Sequence, residues 1–555
     1  MNDEVGAILG GSLTKGLEVR LDPGKVVALG QYVMAALDGE AGTLLGMVTD
    51  IVLKAAESGS TSWPPPATDD ATSRLLRDVL LDTAVYTQAD VTPYLEVRAG
   101  AENSRARRLP RHFARVARAD QATLDSAFDT GERDALRLGA PLGMDDVMVH
   151  VDLERLFERS AGVFGKSGTG KSVITFQVLD AMVAAAANAA TNRERTVALV
   201  FDMHNDYGWE MKFQGEGNRR GLKARHPQQV SLFTLEANAV NSDGAVVIGT
   251  RDVTPDDLEV LKSTSFITDQ ALEIAREASE RFGPGWFDEI AAIDPSAAVI
   301  RKAWKDGDEP EEMNWNRVAA RLGFAAGTLT NLQRNLRSLR RRDFVQSGSG
   351  QFSGVIERII QTLQGGKSVV IQFGRFGNDL TSYMLVANML SRRIWNAYQR
   401  DMDAAGGNTA KEPNRLVIVI EEAHKFVDKS LAGQSTFGQI ARELRKYNVT
   451  LFVIDQRPSQ IDSEVLSQIG TKFCFQLDSE ADVDALIGGM AGRAGLRQVI
   501  AALESKRQAL AFGHALPMPV VVRPPDLTAN FPAGGSLRAR LGVVASVNPK
   551  SALKL

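Results

Sequence analysis

With 555 residues, 44% of them hydrophobic and 24% charged, the chain has the make-up of a folded water-soluble protein with room for two to four domains. A formal net charge of −4 excludes attraction of the whole surface to nucleic acid, so any such contact must come from local basic clusters. One cysteine, Cys474, excludes an internal disulfide framework or a cysteine-rich zinc site.

Cys474 sits in the apolar run TKFCFQL and is expected to pack as a small hydrophobe. No apolar run reaches the roughly 18 residues of a membrane span. The alanine-rich stretch Ala181–Ala190 is too short, and MNDEVGAILG lacks the basic start and apolar core of a secretory signal. A cytoplasmic protein without a membrane anchor is expected.

Short apolar runs separated by glycines and turns open the chain: VGAILGG, GLEVRL, KVVALGQYVMAAL and TLLGMVTDIVL. Their spacing predicts a small β-barrel or sandwich over 1–140. The Ser- and Pro-rich segment Glu57–Asp70 reads as a surface loop, and YLEVRAG as a further strand. Arg105–Arg118 carries six arginines and His112. A solvated face is the plainer reading and a phosphate or inter-subunit contact the sharper one; Pro110 argues against one continuous basic helix.

From Leu153 to Asp206 the pattern becomes strand, glycine loop, long helix, strand. Residues 208–350 read as a helix-rich insertion. Within it, Leu329, Leu332, Leu336 and Leu339 share one helical face among Arg334, Arg337, Arg340, Arg341 and Arg342; a packing helix is expected in preference to a DNA-binding one. The basic segment Lys212–Arg225 is a candidate channel loop or a solvated turn. Three buried-strand candidates follow, SVVIQF, RLVIVIEE and VTLFVIDQ. Together they predict a nucleotide-binding core over 141–207 and 351–516, with an extended arm over 517–555.

GKSGTGKS, residues 165–172, matches G-x-x-x-x-G-K-[ST] between a strand end and a helix. Gly165, Lys166, Ser167, Gly168, Thr169 and Gly170 form a loop whose backbone N–H groups and following helix N-terminus face an anion. Lys171 supplies charge for the β- and γ-phosphates, and Ser172 a hydroxyl for Mg²⁺. The expected ligands are ATP and Mg²⁺.

RLVIVIEEAH supplies the carboxylates. Glu421 ends the strand on the Mg²⁺ side, bound to the metal through water, and Glu422 orients and deprotonates the attacking water. SVVIQF, between the two motifs in sequence, points to the subclass with an inserted strand and a catalytic glutamate. Gln456 ends the next strand as a sensor of the γ-phosphate. Arg442 and Arg445, in IARELRKYN, are candidates for a cation acting on a neighbouring subunit's nucleotide, against a solvated helix face. The expected fold is α/β, a RecA-like P-loop ATPase core (parallel sheet with an inserted strand, helices on both faces) with a small N-terminal β-barrel and a helical insertion.

AGVFGKSGTGKS, VFDMHNDY, VIVIEEAHKF, ARELRKYNVTLFVIDQRPSQI and TKFCFQL together resemble the HerA family of the HerA–FtsK superfamily. The first segment, with GQYVMAAL and GMVTDIVL, is similar to that family's HAS-barrel. The resemblance implies a homohexameric DNA translocase or helicase ring with ATP between subunits and duplex DNA in the channel. It also implies a nuclease or defence effector docked on the barrel. Matched residue by residue, it puts Lys171 and Ser172 in the phosphate loop, Glu422 as catalytic base and Gln456 as sensor. Two positions depart: Glu421 replaces the usual aspartate, and Asp455 the usual serine before the sensor. Asp202, His204 and Asp206 match a stretch that lines the site rather than a metal centre. An ATP-gated platform that holds an effector without translocating uses the same pocket, as does a membrane-linked DNA pump.

Overall fold

The computed structural model describes residues 3–38, 42–55, 70–71, 73–75, 85–98, 102–129, 134–144, 147–213, 217–236, 241–297, 299–302, 311–348, 352–428, 436–490, 492–504 and 508–525. The Ser- and Pro-rich loop falls almost wholly outside these residues, as does the tail from 526.

The opening strands close into a six-stranded antiparallel barrel in the order Gly16–Leu21, Glu4–Ser12, Arg115–Arg118, Tyr32–Leu37, Gly42–Ala55 and Val85–Arg98, the last pairing back with the first. Alternation along each strand sends Val5, Ile8, Val19, Val33, Val48 and Val91 into the barrel. The opposite faces bring Tyr32, Leu45, Met47 and Leu95 into the main core, and the Tyr32 hydroxyl donates to the Pro519 carbonyl. The basic stretch is taken up by barrel acids. Arg108 pairs with buried Glu96, Arg111 with Asp38, Arg115 with Glu4 and Asp22, and Arg118 with Asp3. Burial alone would raise the Glu96 carboxyl, but hydrogen bonds from Arg108, Arg107 and Arg98 outweigh it and hold the group at about 2. Four of the six arginines of this stretch are thus engaged by acids of the barrel.

The core is a twelve-stranded sheet. Its order is Gly244–Ala245, Val230–Thr234, Ser368–Gln372, Thr196–Asp202, Arg415–Glu421, Val449–Asp455, Ser160–Phe164, Ile469–Cys474, Ala509–Gly513, Val520–Arg523, Ala135–Pro141 and Val149–Asp152. Pairing is parallel from the first of these to Ile469–Cys474 and antiparallel beyond it. The parallel strands are covered on both faces, which is why they read as unbroken apolar runs.

Three readings change. The strand inserted between the P-loop strand and the acidic strand is Val449–Asp455. SVVIQF instead pairs with Thr196–Asp202 and Val230–Thr234 on the far side. Both are continuous apolar runs, so neither betrays its neighbours. Ala135–Pro141, expected in the barrel, is hydrogen-bonded to Val520–Arg523 of the supposed arm, and both belong to the core sheet. Val230–Thr234 and Gly244–Ala245 likewise lie in that sheet, although they fall inside the stretch read as an insertion. Local periodicity carries no trace of which strands pair, least of all for Ala135–Pro141 and Val520–Arg523, which lie far apart along the chain.

The insertion packs as helices Asp269–Phe282, Trp286–Ala292, Trp315–Arg321 and Ala326–Arg340. Leu329, Leu332, Leu336 and Leu339 of the last helix are buried as expected. Gln333 donates to the Ile290 and Ile293 carbonyls at 2.7 Å, and Arg337 to those of Ala291 and Ile293 at 2.8 and 2.7 Å. These side chains satisfy the end of Trp286–Ala292. Arg337 is therefore committed to packing, as is Arg342, which binds Asp379 at 2.8 Å.

The basic segment after Tyr207 forms the hairpin Glu210–Phe213/Gly217–Arg220, and the side chain of Lys212 lies outside the described residues. Arg225 cannot line a channel: it binds buried Asp180 at 2.7 Å, with His226 on the same carboxylate at 2.8 Å. Lys223 is held by Asp243 at 2.9 Å. None of the described helices is long and apolar enough to cross a membrane.

Candidate nucleotide site

Parallel strands bring their carboxyl ends to one edge, where an α/β sheet places its ligands. Registers fix the level. Phe164, the last residue before the loop, lies opposite Asp455, and Glu421 opposite Ile454. Residues 165, 422 and 456 therefore emerge side by side.

The loop turns through left-handed glycines. Gly165 has φ 151°, and a Cβ there would lie 2.6 Å from that of Phe475; Gly170, with φ 115°, starts the helix Lys171–Asn188. Thr169 is buried and its hydroxyl donates to the Lys166 carbonyl at 2.8 Å. Ser167 and Gly168 are exposed at the rim, and Ser172 is half-buried. The Lys166 ammonium reaches outward to Asp478 at 2.6 Å. Lys171 turns inward and donates to the carbonyls of Gly165 and Lys166, both at 2.8 Å. Burial lowers its ammonium from the ordinary value, against the opposing pull of Glu422, Asp455 and Glu421.

Two strands away, Glu421 is 6% exposed. Its Oε1 accepts from the Tyr207 hydroxyl at 3.3 Å, and its backbone is clamped by Tyr383, whose hydroxyl accepts from Glu421 N at 2.9 Å and donates to its carbonyl at 3.1 Å. The other carboxyl oxygen, Oε2, is buried without a hydrogen-bond partner, with His204 Nε2 at 3.8 Å. Burial, reinforced by Asp202 and Asp206, pushes this carboxyl well above the usual range. A buried, unpaired carboxylate oxygen is costly unless something cationic or hydrogen-bonding meets it, so Glu421 fits the magnesium side of a P-loop site.

Glu422 follows in the left-handed region, φ 51° and ψ 46°, a conformation that costs a non-glycine residue about 1–2 kcal/mol. Its side chain is partly exposed, and Oε1 accepts from Gln456 Nε2 at 2.9 Å. Lys171, Glu421, Glu422 and Gln456 are thus gathered at one edge. Arg442 lies in the helix Thr436–Glu443 and Arg445 in the turn after it; their side chains are outside the described residues.

Asp202 is fully buried and accepts from Asp206 N at 2.7 Å, Tyr207 N at 2.9 Å and Gln372 Nε2 at 3.2 Å. It shapes the loop that delivers Tyr207 to Glu421, and among the described residues no His, Cys, Asp and Glu cluster is suited to a metal ion. Burial, partly offset by those hydrogen bonds, raises its carboxyl to about 6. Buried Cys474 packs as expected, its thiol pushed well up by burial.

The family model for the central domain of helicase HerA matches residues 136–394. A HerA double-strand break repair helicase of Sulfurisphaera tokodaii is 22% identical over 86% of this chain and 84% of its own length. Over the matched residues the chain is similar to the HerA family. The HerA of Pyrococcus furiosus is 33% identical over 20% of either chain, and that of Saccharolobus solfataricus 27% identical over 31% of this chain. Those two matches span only 20% and 35% of the relatives' own lengths. Among solved structures, VirB4 of Thermoanaerobacter pseudethanolicus aligns over 72% of this chain and 99% of its own, at 14% identity and a TM-score of 0.42.

Sequence reasoning missed Tyr207, Tyr383 and the work of Asp455 in this site. Tyr207 lies in the quoted VFDMHNDY stretch, but nothing in the pattern aims it at Glu421. Tyr383 sits in the helix Leu380–Ala405 with no local mark of function.

Proposed function

We propose that the chain hydrolyses ATP at this edge and uses the energy to move along duplex DNA as a homohexameric ring, with a nuclease or defence effector docked on the barrel. The observation that carries the hydrolytic reading is the Gln456–Glu422 hydrogen bond of 2.9 Å beside a P-loop lysine. The bond supports reading Glu422 as the base and Gln456 as the sensor, because the two side chains meet at one mouth.

Lys171 and the loop N–H groups bind the β- and γ-phosphates. Ser172 and Glu421 would hold Mg²⁺, Glu421 through water, and the ion would neutralise charge on the phosphates. Glu422 orients and deprotonates the attacking water, and Gln456 passes from Glu422 to the γ-phosphate as the site fills. Arg442 or Arg445 of a neighbouring subunit stabilises the charge that develops on the transferred group, a contribution of about 10³–10⁵ in rate for such arginines. DNA as the track draws support from the relatives named as repair helicases.

The test is ATP turnover by the purified chain with and without duplex DNA. Turnover stimulated by DNA, and reduced at least about 100-fold by Glu422→Gln while ATP binding persists, is the expected result. Turnover indifferent to DNA, with an effector still bound, would favour the non-translocating platform. Absence of turnover under every condition would end the motor reading.

A further inference from the structure

We infer that Asp455 is a positioning residue that fixes the catalytic geometry of Glu422 through the His424 turn. The inference rests on the ATPase reading above for its kinetic consequence and on geometry alone for its structural one.

Asp455 ends the inserted strand and its side chain is fully buried. A carboxylate in that position must be satisfied, and each of its partners belongs to the site. Oδ2 accepts from His424 N at 2.7 Å, and Oδ1 from Arg457 N at 2.6 Å. Both oxygens lie near His424 Nδ1, at 3.1 and 3.0 Å. An ionised carboxylate can only accept, so Nδ1 carries a proton and the ring's orientation is set by Asp455. The same nitrogen lies 3.6 Å from Glu422 Oε2. The Asp455 carbonyl also accepts from Gly165 N at 3.2 Å. This one residue therefore touches the P-loop, the turn after the acidic pair and the sensor segment.

The need for such a tie is local. Glu422 sits in the left-handed region, and a strained non-glycine backbone persists only where its surroundings over-determine it. On one side Tyr383 clamps Glu421. On the other, His424 N is bound to Asp455, while Lys425 N donates back to the Glu422 carbonyl at 2.9 Å. Serine at position 455 offers one oxygen on a shorter stem and cannot satisfy His424 N, His424 Nδ1 and Arg457 N together. In this chain the negative charge of Asp455 does so, and Glu422 is held between two anchors while its side chain stays free to meet Gln456.

The test compares Asp455→Asn with the unaltered chain. An asparagine turns a donating NH₂ toward either a backbone N–H or Nδ1–H, so one bond is lost with little change in size. The expected result is a fall in kcat of about 10-fold or more with ATP affinity changed less than about 2-fold. His424→Gln should give a loss of similar size, and the double variant should be no worse than either single one. Peptides over 422–428 should lose hydrogen-exchange protection in Asp455→Asn with ADP bound. Unchanged kcat, a parallel fall in ATP affinity, or losses that multiply in the double variant would overturn the inference. Should Asp455→Asn fail to bind ADP, Asp455→Ser and His424→Gln carry the same comparison. If the unaltered chain turned over no ATP, the proposed function would fail, and the exchange measurement alone would decide this inference.

Discussion

Asp202 illustrates how a buried acid can serve a loop at a cost that depends on pH. Its folded-state carboxyl lies at about 6, above the 3.8 of an unperturbed aspartate. The folded state therefore binds this proton more tightly than the unfolded one, and stability linked to it is full below about 4 and lost as pH rises through about 6. Asp202→Asn removes that titration. Relative to the unaltered chain, the variant's thermal midpoint should move in its favour between pH 4 and 7, by the equivalent of up to ~3 kcal/mol. A constant difference across that range would show that Asp202 does not titrate there. Gln456 gives a second prediction at this scale. Gln456→Ala should leave ADP affinity within about 3-fold and lower kcat by roughly 10–100-fold, whereas equal losses in binding and turnover would assign Gln456 to ground-state binding. Much of the site at this scale was legible. A P-loop is a local device, and its lysine, hydroxyl and glycines stand in one octapeptide; RLVIVIEE and VTLFVIDQ carry their polar ends where a strand must stop. Tyr207, Tyr383 and the tie made by Asp455 were not legible, because each acts on a partner far away in sequence.

Among the elements, Ala326–Arg340 shows periodicity winning over charge. Five arginines lie in or just beyond this helix, yet its four leucines are buried and two of the arginines cap or brace neighbouring segments. Leu332→Ala leaves a cavity where the side chain is now fully buried, and should cost about 2–5 kcal/mol. Thermal denaturation reads this directly. A loss below about 0.5 kcal/mol would mean that the insertion does not unfold with the observed transition. Strands were harder to place than helices. SVVIQF and VTLFVID are both apolar throughout, and the choice of the inserted one depended on hydrogen-bonding neighbours. In the barrel, alternating patterns located the strands, but closure through Gly16–Leu21 and Val85–Arg98 is a long-range pairing.

For the whole molecule, the proposed ring makes the site depend on a second copy. Sedimentation at micromolar concentration should show hexamers with nucleotide and Mg²⁺, and a strict monomer under all conditions would remove the trans role of Arg442 and Arg445. Mixing separately inactive Glu422→Gln and Arg442→Ala/Arg445→Ala chains gives a sharper measurement. Some mixed interfaces join an intact base to an intact arginine, so part of the turnover should return. No recovery, in rings shown to exchange subunits, would argue that both groups act within one chain.

By itself the sequence determined the nucleotide chemistry, the α/β core, the β-rich opening and the inward face of the leucine helix, because each depends on residues close together along the chain. The tertiary structure decided which strand is inserted, that Ala135–Pro141 and Val520–Arg523 complete the core sheet, and that Arg108, Arg111, Arg115 and Arg118 pair with the barrel's own acids. It also placed Asp455 against the turn that follows Glu422. Those outcomes depend on which distant backbone groups and charges are left to satisfy one another once the chain is buried, and a linear pattern holds no record of that pairing.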